Sequence, residues 1–235
     1  MLFDAFDHIY IVNLRSRPDR RREMQRQMSL LGLSVDPRVK YFDAIRTADP
    51  GPFLRVGSHG AFLSHLSILK SHIHTNETVL ILQDDCDFFP NAAQAHIRPD
   101  WGIFYGGYHQ LDPGDLHLSN IQGAHCMAFR PQIIPRLVEF LEAVYTGSCD
   151  PIVEACNRPS GKVIAPPIDG AIVWFRRLNP DVLTVFRQIS YQRSSKTDIG
   201  DPSVIDRIPL LAVTSRFLLR LYRRARLRFA GGAQS

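Results

Sequence analysis

With 235 residues, 45% of them hydrophobic and 22% charged, the chain is long enough to bury one sizeable core and has the composition of a soluble globular domain. Its net charge of +5 is uneven, the basic excess lying in residues 15–26 and 207–228, which suits phosphates, nucleic acid or an anionic membrane surface. No stretch reaches roughly 18 uninterrupted apolar residues, which excludes a membrane-spanning helix, and the N-terminus lacks the basic-then-apolar pattern of a secretory signal. A cytoplasmic or peripheral protein is expected. Cys86, Cys126, Cys149 and Cys156 form no CxxC pair and match no zinc spacing, so they read as free buried thiols.

Residues 8–14 (HIYIVNL) are a short apolar run rich in β-branched residues, the mark of a buried strand. Ser16 then opens a helix with Asp19 as a short capping box, Met24, Met28 and Leu31 at helical spacing, and Gly32 as its cap. A second strand is expected over 39–42, and Pro50, Gly51, Pro52 and Gly57 mark residues 46–58 as a loop. Phe62, Leu66 and Leu69 predict a helix over 60–74. Residues 78–82 (TVLIL) are the clearest strand and run directly into Asp84-Asp85-Cys86-Asp87. Further strands are expected over 101–108, 125–129, 163–165 and 183–186, with a helix over 131–145. Strands alternating with helices through the first 110 residues predict an α/β sheet with parallel strands.

In such a sheet, ligands bind outside the carboxyl ends of the strands, where Asp84, Asp85 and Asp87 fall. Several carboxylates placed together repel, and a divalent cation relieves that cost. Oxygen ligands suit magnesium or manganese, ions that also hold substrate phosphates. A solvated acidic turn is the plain alternative. A HAD-like phosphotransferase also places Asp-x-Asp after a strand, but here Phe88-Phe89 follow where that group has a small polar residue.

Three segments carry a family resemblance. They are Ile11-Val12-Asn13-Leu14 with Arg17, Asp19 and Arg20, then residues 57–65 (GSHGAFLSH), then Leu80-Ile81-Leu82-Gln83-Asp84-Asp85. In this order and spacing the chain resembles the family 25 glycosyltransferases, a group that includes bacterial lipooligosaccharide and collagen galactosyltransferases. That family reads approximately V-I-N-L-x-x-R-x-D-R, then G-x-x-G-C-x-x-S-H, then L-E-D-D. Asp43-Ala44-Ile45 resembles its A-x-D-G region less closely. The resemblance implies a GT-A-like fold: a Rossmann-like, nucleotide-sugar-binding, mixed but mostly parallel sheet flanked by helices. It also implies a nucleoside diphosphate sugar donor such as a UDP-hexose, Mn2+ or Mg2+, and inversion at the anomeric carbon. Carried over residue by residue, Asn13, Leu14, Arg17, Arg20, Asp43, Ser64, His65 and Asp84 fall on the donor side, and an arginine there can meet phosphates. The family's Glu is Gln83 here and its Cys is Ala61. The lost Glu removes one acidic ligand, and Asp85-x-Asp87 restores an Asp-x-Asp, so Asp85 and Asp87 are the expected metal pair.

In the second half, Pro166-Pro167-Ile168-Asp169-Gly170 resembles a P-x-D element, and residues 192–199 (QRSSKTDI) resemble a Q-R-S-S-R-S-D-I segment of bacterial members. An inverting transfer needs a carboxylate to take the acceptor hydroxyl's proton. Asp169 is the first candidate and Asp150 the second. Arg193 and Ser194 are candidates for the diphosphate.

Residues 1–205 are therefore expected to form the catalytic domain, and 206–235 a basic amphipathic appendage. Within 209–229, Leu210, Phe217, Leu218, Leu221 and Phe229 share one helical face and Arg216, Arg220, Arg223 and Arg224 much of the other. Such a helix suits an anionic membrane surface, here the cytoplasmic face of a bacterial inner membrane carrying glycan or glycolipid acceptors such as lipopolysaccharide. The competing classes are a catalytically degenerate sugar-nucleotide or glycan-binding protein, which Gln83 favours, and a nucleic-acid binder. The latter lacks interleaved aromatics and any RNA-binding signature, so no nucleic-acid partner is expected.

Overall fold

The computed structural model describes residues 1–112, 114–150 and 164–193. Ser194, Cys156 and the whole 206–235 segment, with its 209–229 helix, lie outside the described residues. The elements in chain order are β1 (His8–Asn13), α1 (Pro18–Leu30), β2 (Val39–Asp43), α2 (Val56–Lys70), β3 (Val79–Gln83), β4 (Cys86–Phe88), β5 (Ile103–Tyr105), β6 (His109–Gln110), β7 (Ile121–Gln122), β8 (Cys126–Phe129), α3 (Ile134–Thr146), α4 (Ile168–Leu178), β9 (Thr184–Phe186) and β10 (Ser190–Gln192).

Six strands form the central sheet in the order β2-β1-β3-β8-β5-β9. All pairings are parallel except those of β8, which runs antiparallel between β3 and β5. The expected mixed, mostly parallel sheet flanked by helices is what the chain forms. The two-residue period of the strands sorts their side chains onto two cores. Val79 and Ile81, Ile103 and Tyr105, and Met127 and Phe129 face the layer holding α2, α3 and α4. Leu80 and Leu82, Phe104, and Cys126 and Ala128 face α1 and the N-terminal turn with Phe3 and Phe6. Burial on both faces explains why 78–82 reads as an unbroken apolar run rather than an alternating one. Among the described residues, no helix is long and apolar enough to cross a membrane.

Several boundaries differ from expectation for identifiable reasons. The first helix begins at Pro18, not Ser16, because proline is suited to the first helical turn. Arg17 is its N-cap, and no side-chain capping bond forms there. The second helix starts at Val56, inside the expected loop, and ends at Lys70; Gly57 and Gly60 are carried within it. The strand expected over 101–108 is cut to three residues. At Gly106 a Cβ would meet Cys126 Sγ at 2.3 Å, and at Gly107 His125 Nε2 at 2.2 Å, so the backbone passes where no side chain fits. Ala165 lies in no strand; its N–H donates to the Pro52 carbonyl at 2.8 Å. Cys86, Cys126 and Cys149 are free and buried.

Candidate functional site

The carboxyl ends of β1, β2 and β3 open onto a cavity of about 740 Å3. Its walls are Leu14 and Arg20 from the β1–α1 connection, residues 44–48 after β2, Gly60, Ala61 and His65 of α2, and Gln83, Asp84 and Asp85 at the end of β3. The loop after β2 is held flat against α2. A Cβ at Gly60 would sit 2.4 Å from the Ile45 carbonyl oxygen. The Ser64 hydroxyl donates to the Gly60 carbonyl at 2.7 Å and accepts the Ile45 N–H at 2.9 Å. Ser64 is fully buried and does not line the cavity; it positions the loop that does.

The three carboxylates of the acidic run have three different settings. Asp84 is buried, accepting from Asn13 Nδ2 and from Arg20 Nη1, each at 2.7 Å. Burial pushes its carboxyl up from the ordinary value, against the Arg20 charge and the hydrogen bonds from Asn13 and Arg20. Asp85 Oδ2 accepts from Gln192 Nε2 at 3.0 Å, while Oδ1 is buried with no hydrogen-bond partner among the described residues. Burial likewise pushes Asp85 up, opposed by the Gln192 bond and by the charges of Arg20 and Arg193. Asp87 Oδ1 accepts from both Nε and Nη2 of Arg193, at 3.0 and 2.6 Å, and both side chains are 2% exposed. Asp85 and Asp87, expected as a joint metal pair, are thus held in different places. Asp85 lines the cavity; Asp87 does not, and it is locked to Arg193. Arg193 also donates its backbone N–H to the Asp85 carbonyl, at 2.6 Å.

Of the other expected donor-side residues, Leu14, Arg20, His65 and Asp84 line the cavity. Arg17 pairs with Asp19 at 2.8 Å and holds that carboxyl down at about 2. Asp43 faces outward, its Oδ2 accepting from Arg15 Nε at 2.8 Å and Nη2 at 2.5 Å. His65 is fully buried, its Nε2 3.5 Å from Gln83 Nε2. Burial drops its pKa to about 4, so the ring is neutral. Asp169 stands in the first turn of α4, away from the cavity wall. Its Oδ2 accepts from the Gly123 N–H at 3.1 Å and its Oδ1 from the Gly170 N–H at 3.0 Å. Asp150 is exposed. Gln192 and the loop residues 44–48 were not singled out for the site from sequence. Gln192 is read off only once β10 is seen to pair with β4, which brings it opposite Cys86.

A cavity lined by two arginines, Arg20 and Arg46, and two aspartates, Asp84 and Asp85, lies at the carboxyl edge of a mostly parallel sheet, where α/β proteins bind their ligands. Comparison with known proteins narrows the class. A protein of Anopheles gambiae, "Glycosyltransferase 25 family member", is 32% identical over 137 aligned positions that cover 47% of this chain and 23% of the relative. The Bos taurus protein "Probable inactive glycosyltransferase 25 family member 3" is 28% identical and covers 46% and 23%. Over the matched segment the chain is similar to glycosyltransferase 25 family members. The chain spans about a quarter of the length of the curated relatives it matches. No family model matches it. A solved glycosyltransferase involved in the glycosylation of the major capsid of PBCV-1 superposes with a TM-score of 0.44 and 10% identity, over 77% of this chain and 81% of that one.

Two predictions follow from the electrostatics. Asp84→Ala removes the buried carboxylate to which Asn13 and Arg20 both donate, so it should cost about 3–5 kcal/mol in denaturant unfolding. Arg15→Ala, at the exposed Asp43 pair, should leave the unfolding midpoint nearly unchanged. Similar losses in the two variants would contradict the assignment.

His65 and His125 both fall to about 4 through burial, whereas an unfolded imidazole titrates near 6.5. The unfolded chain therefore binds more protons between pH 6.5 and 4, and stability drops as pH falls through that window. Each ring contributes a slope of up to about 1.4 kcal/mol per pH unit. His125→Gln or His65→Gln should flatten that slope; an unchanged slope in both variants would mean the rings are not held neutral.

Proposed function

We propose that this protein is a glycosyltransferase that moves a hexose from a nucleoside diphosphate sugar, of the UDP-hexose kind, to a glycan or glycolipid acceptor with inversion. The observation that carries this reading is the Asp85 carboxylate. One of its oxygens is buried and unpaired among the described residues, and the residue lines a cavity large enough for a nucleotide sugar. The similarity of the matched segment to glycosyltransferase 25 family members supports the chemistry proposed for the cavity.

The chain's own groups divide the work. Residues 44–48 and Leu14 flank the nucleoside, and Arg20 presents positive charge toward the diphosphate while its Nη1 stays on Asp84. Asp84 positions Arg20 and Asn13. Asp85 Oδ1, a carboxylate oxygen without a hydrogen-bond donor among the described residues, fits a hard divalent cation and is the atom that would hold Mn2+ or Mg2+. Such an ion, when bound, neutralises charge on the leaving diphosphate. Asp87 acts through Arg193, whose backbone N–H fixes the Asp85 carbonyl. The acceptor enters from the side of β5 and β8, where Asp169 lies against Gly123. Each Asp169 oxygen accepts one backbone N–H and keeps a lone pair for the acceptor hydroxyl's proton. Asp150 is the alternative base. The basic 209–229 segment attaches the protein to the cytoplasmic face of a bacterial inner membrane, where lipopolysaccharide-type acceptors are built.

A second reading, a sugar-nucleotide or glycan binder without turnover, is favoured by one observation. Gln83 stands beside the site where the family motif has Glu, and a relative of comparable coverage carries the name "probable inactive".

With Mn2+ and a panel of nucleotide sugars, the wild-type chain should release nucleoside diphosphate, and Asp85→Ala should lower the rate by at least about 100-fold. Equal turnover in the variant removes Asp85 from the site. Donor binding with no release across the panel selects the second reading. For the membrane, deleting 207–235 should abolish binding to anionic vesicles; unchanged binding sinks that attachment.

A further inference from the structure

The opposite end of β1 carries a second cluster that the transferase reading does not use. His8 opens β1, His72 follows α2, and Glu77 precedes β3. His8 Nε2 lies 3.0 Å from Glu77 Oε2, and His72 Nδ1 lies 3.3 Å from the same oxygen. Among the described residues, these three offer ligand atoms that all fall within 4.8 Å of one another. We propose that His8, His72 and Glu77 form a binding site for a divalent transition metal of the zinc type, tying the α2–β3 connection to the first strand.

The geometry matches the chemistry. Tetrahedral zinc with bonds of about 2.0–2.1 Å separates its ligand atoms by about 3.3 Å, close to the spacings Glu77 already makes. Two imidazoles and one carboxylate are a ligand set zinc takes readily, with the fourth position left to water. Glu77 is 43% exposed along its side chain, so that position opens to solvent. His72 is buried, and its outer nitrogen Nε2 is 3.0 Å from the Tyr10 hydroxyl. With Nδ1 on a metal, Nε2 carries the proton and donates to that oxygen, the kind of outer partner that orients a ligating histidine. The Thr75 hydroxyl, 3.3 Å from His72 Nδ1, borders the same space.

One group opposes a cation. Lys40 Nζ is 3.2 Å from His8 Nδ1. A His8 ring bound through Nε2 protonates Nδ1 and has no acceptor in an ammonium, so Lys40, which is exposed, turns to solvent when metal binds. The site therefore makes a prediction that a hydrogen-bonded His–Glu cluster does not: removing Lys40 should tighten binding.

The test titrates the full chain with Zn2+ against a chromophoric chelator. One saturable site per chain is expected. His8→Gln and Glu77→Gln should abolish it while leaving the circular dichroism spectrum unchanged. Tyr10→Phe should weaken it about 10–100-fold, and Lys40→Gln should strengthen it. Asp85→Ala should bind as wild type, which separates this site from the donor cavity. Absence of saturable binding would overturn the proposal. So would zinc binding that survives Glu77→Gln, or that disappears in Asp85→Ala.

Discussion

Three segments of chain meet at the Asp84 carboxylate. Asn13 comes from the end of β1, Arg20 from the first turns of α1, and Asp84 from the end of β3. An ionised carboxylate is costly to bury unless every lone pair and opposing charge is in place. The cluster therefore exists only when the two parallel strands are in register and α1 lies across their carboxyl ends. The same contact fixes the angle at which Arg20 and Leu14 enter the cavity wall. This wall of the cavity is in that sense a by-product of satisfying one buried charge.

The acidic run shows how the protein distributes that cost. Like-charge repulsion among Asp84, Asp85 and Asp87 argued for a cation at the run as a whole. The structure instead supplies two guanidinium groups of its own. Arg20 takes Asp84, and Arg193 takes Asp87. Among the described residues, Asp85 has a neutral partner, Gln192, on one oxygen and no hydrogen-bond partner on the other. Two of the three carboxylates are paired with an arginine, and of the two that line the cavity, Asp84 and Asp85, Asp85 is the one bonded to a neutral side chain. That burial and pairing set the run apart from a solvated acidic turn, and on the proposed reading they make a single carboxylate, not a pair, the focus for a ligand.

The parallel core was legible because its signal is local. Residues 8–13 and 79–83 are apolar on both faces, and the helices between them keep a 3.6-residue period. Short elements were less legible. Residues 168–178 carry buried Ile168, Ala171, Ile172 and Phe175 at helical spacing, yet the preceding Pro166-Pro167 reads more readily as a loop motif. The β4–β10 ladder is three residues long on each side and joins segments about a hundred residues apart, so no window of sequence contains it. The roles of Arg193, Gln192 and Asp87 depend on that ladder. Sequence reasoning therefore put Asp87 on the metal, since the arginine that claims it arrives only through tertiary pairing.

The two ends of β1 can be weighed against each other by distance. From His8 to Asn13 the strand rises about 17 Å, well beyond the screening length of about 8–10 Å at moderate ionic strength. A cation held by His8, His72 and Glu77 would therefore do little to the charge state of Asp84 or Asp85 by direct electrostatics. Its influence would pass through packing: the α2–β3 connection it secures leads directly into β3, whose last residues carry the acidic run. Fixing where β3 begins fixes where Asp84 and Asp85 end, because a parallel strand buried on both faces cannot slip by one residue without exchanging its two cores.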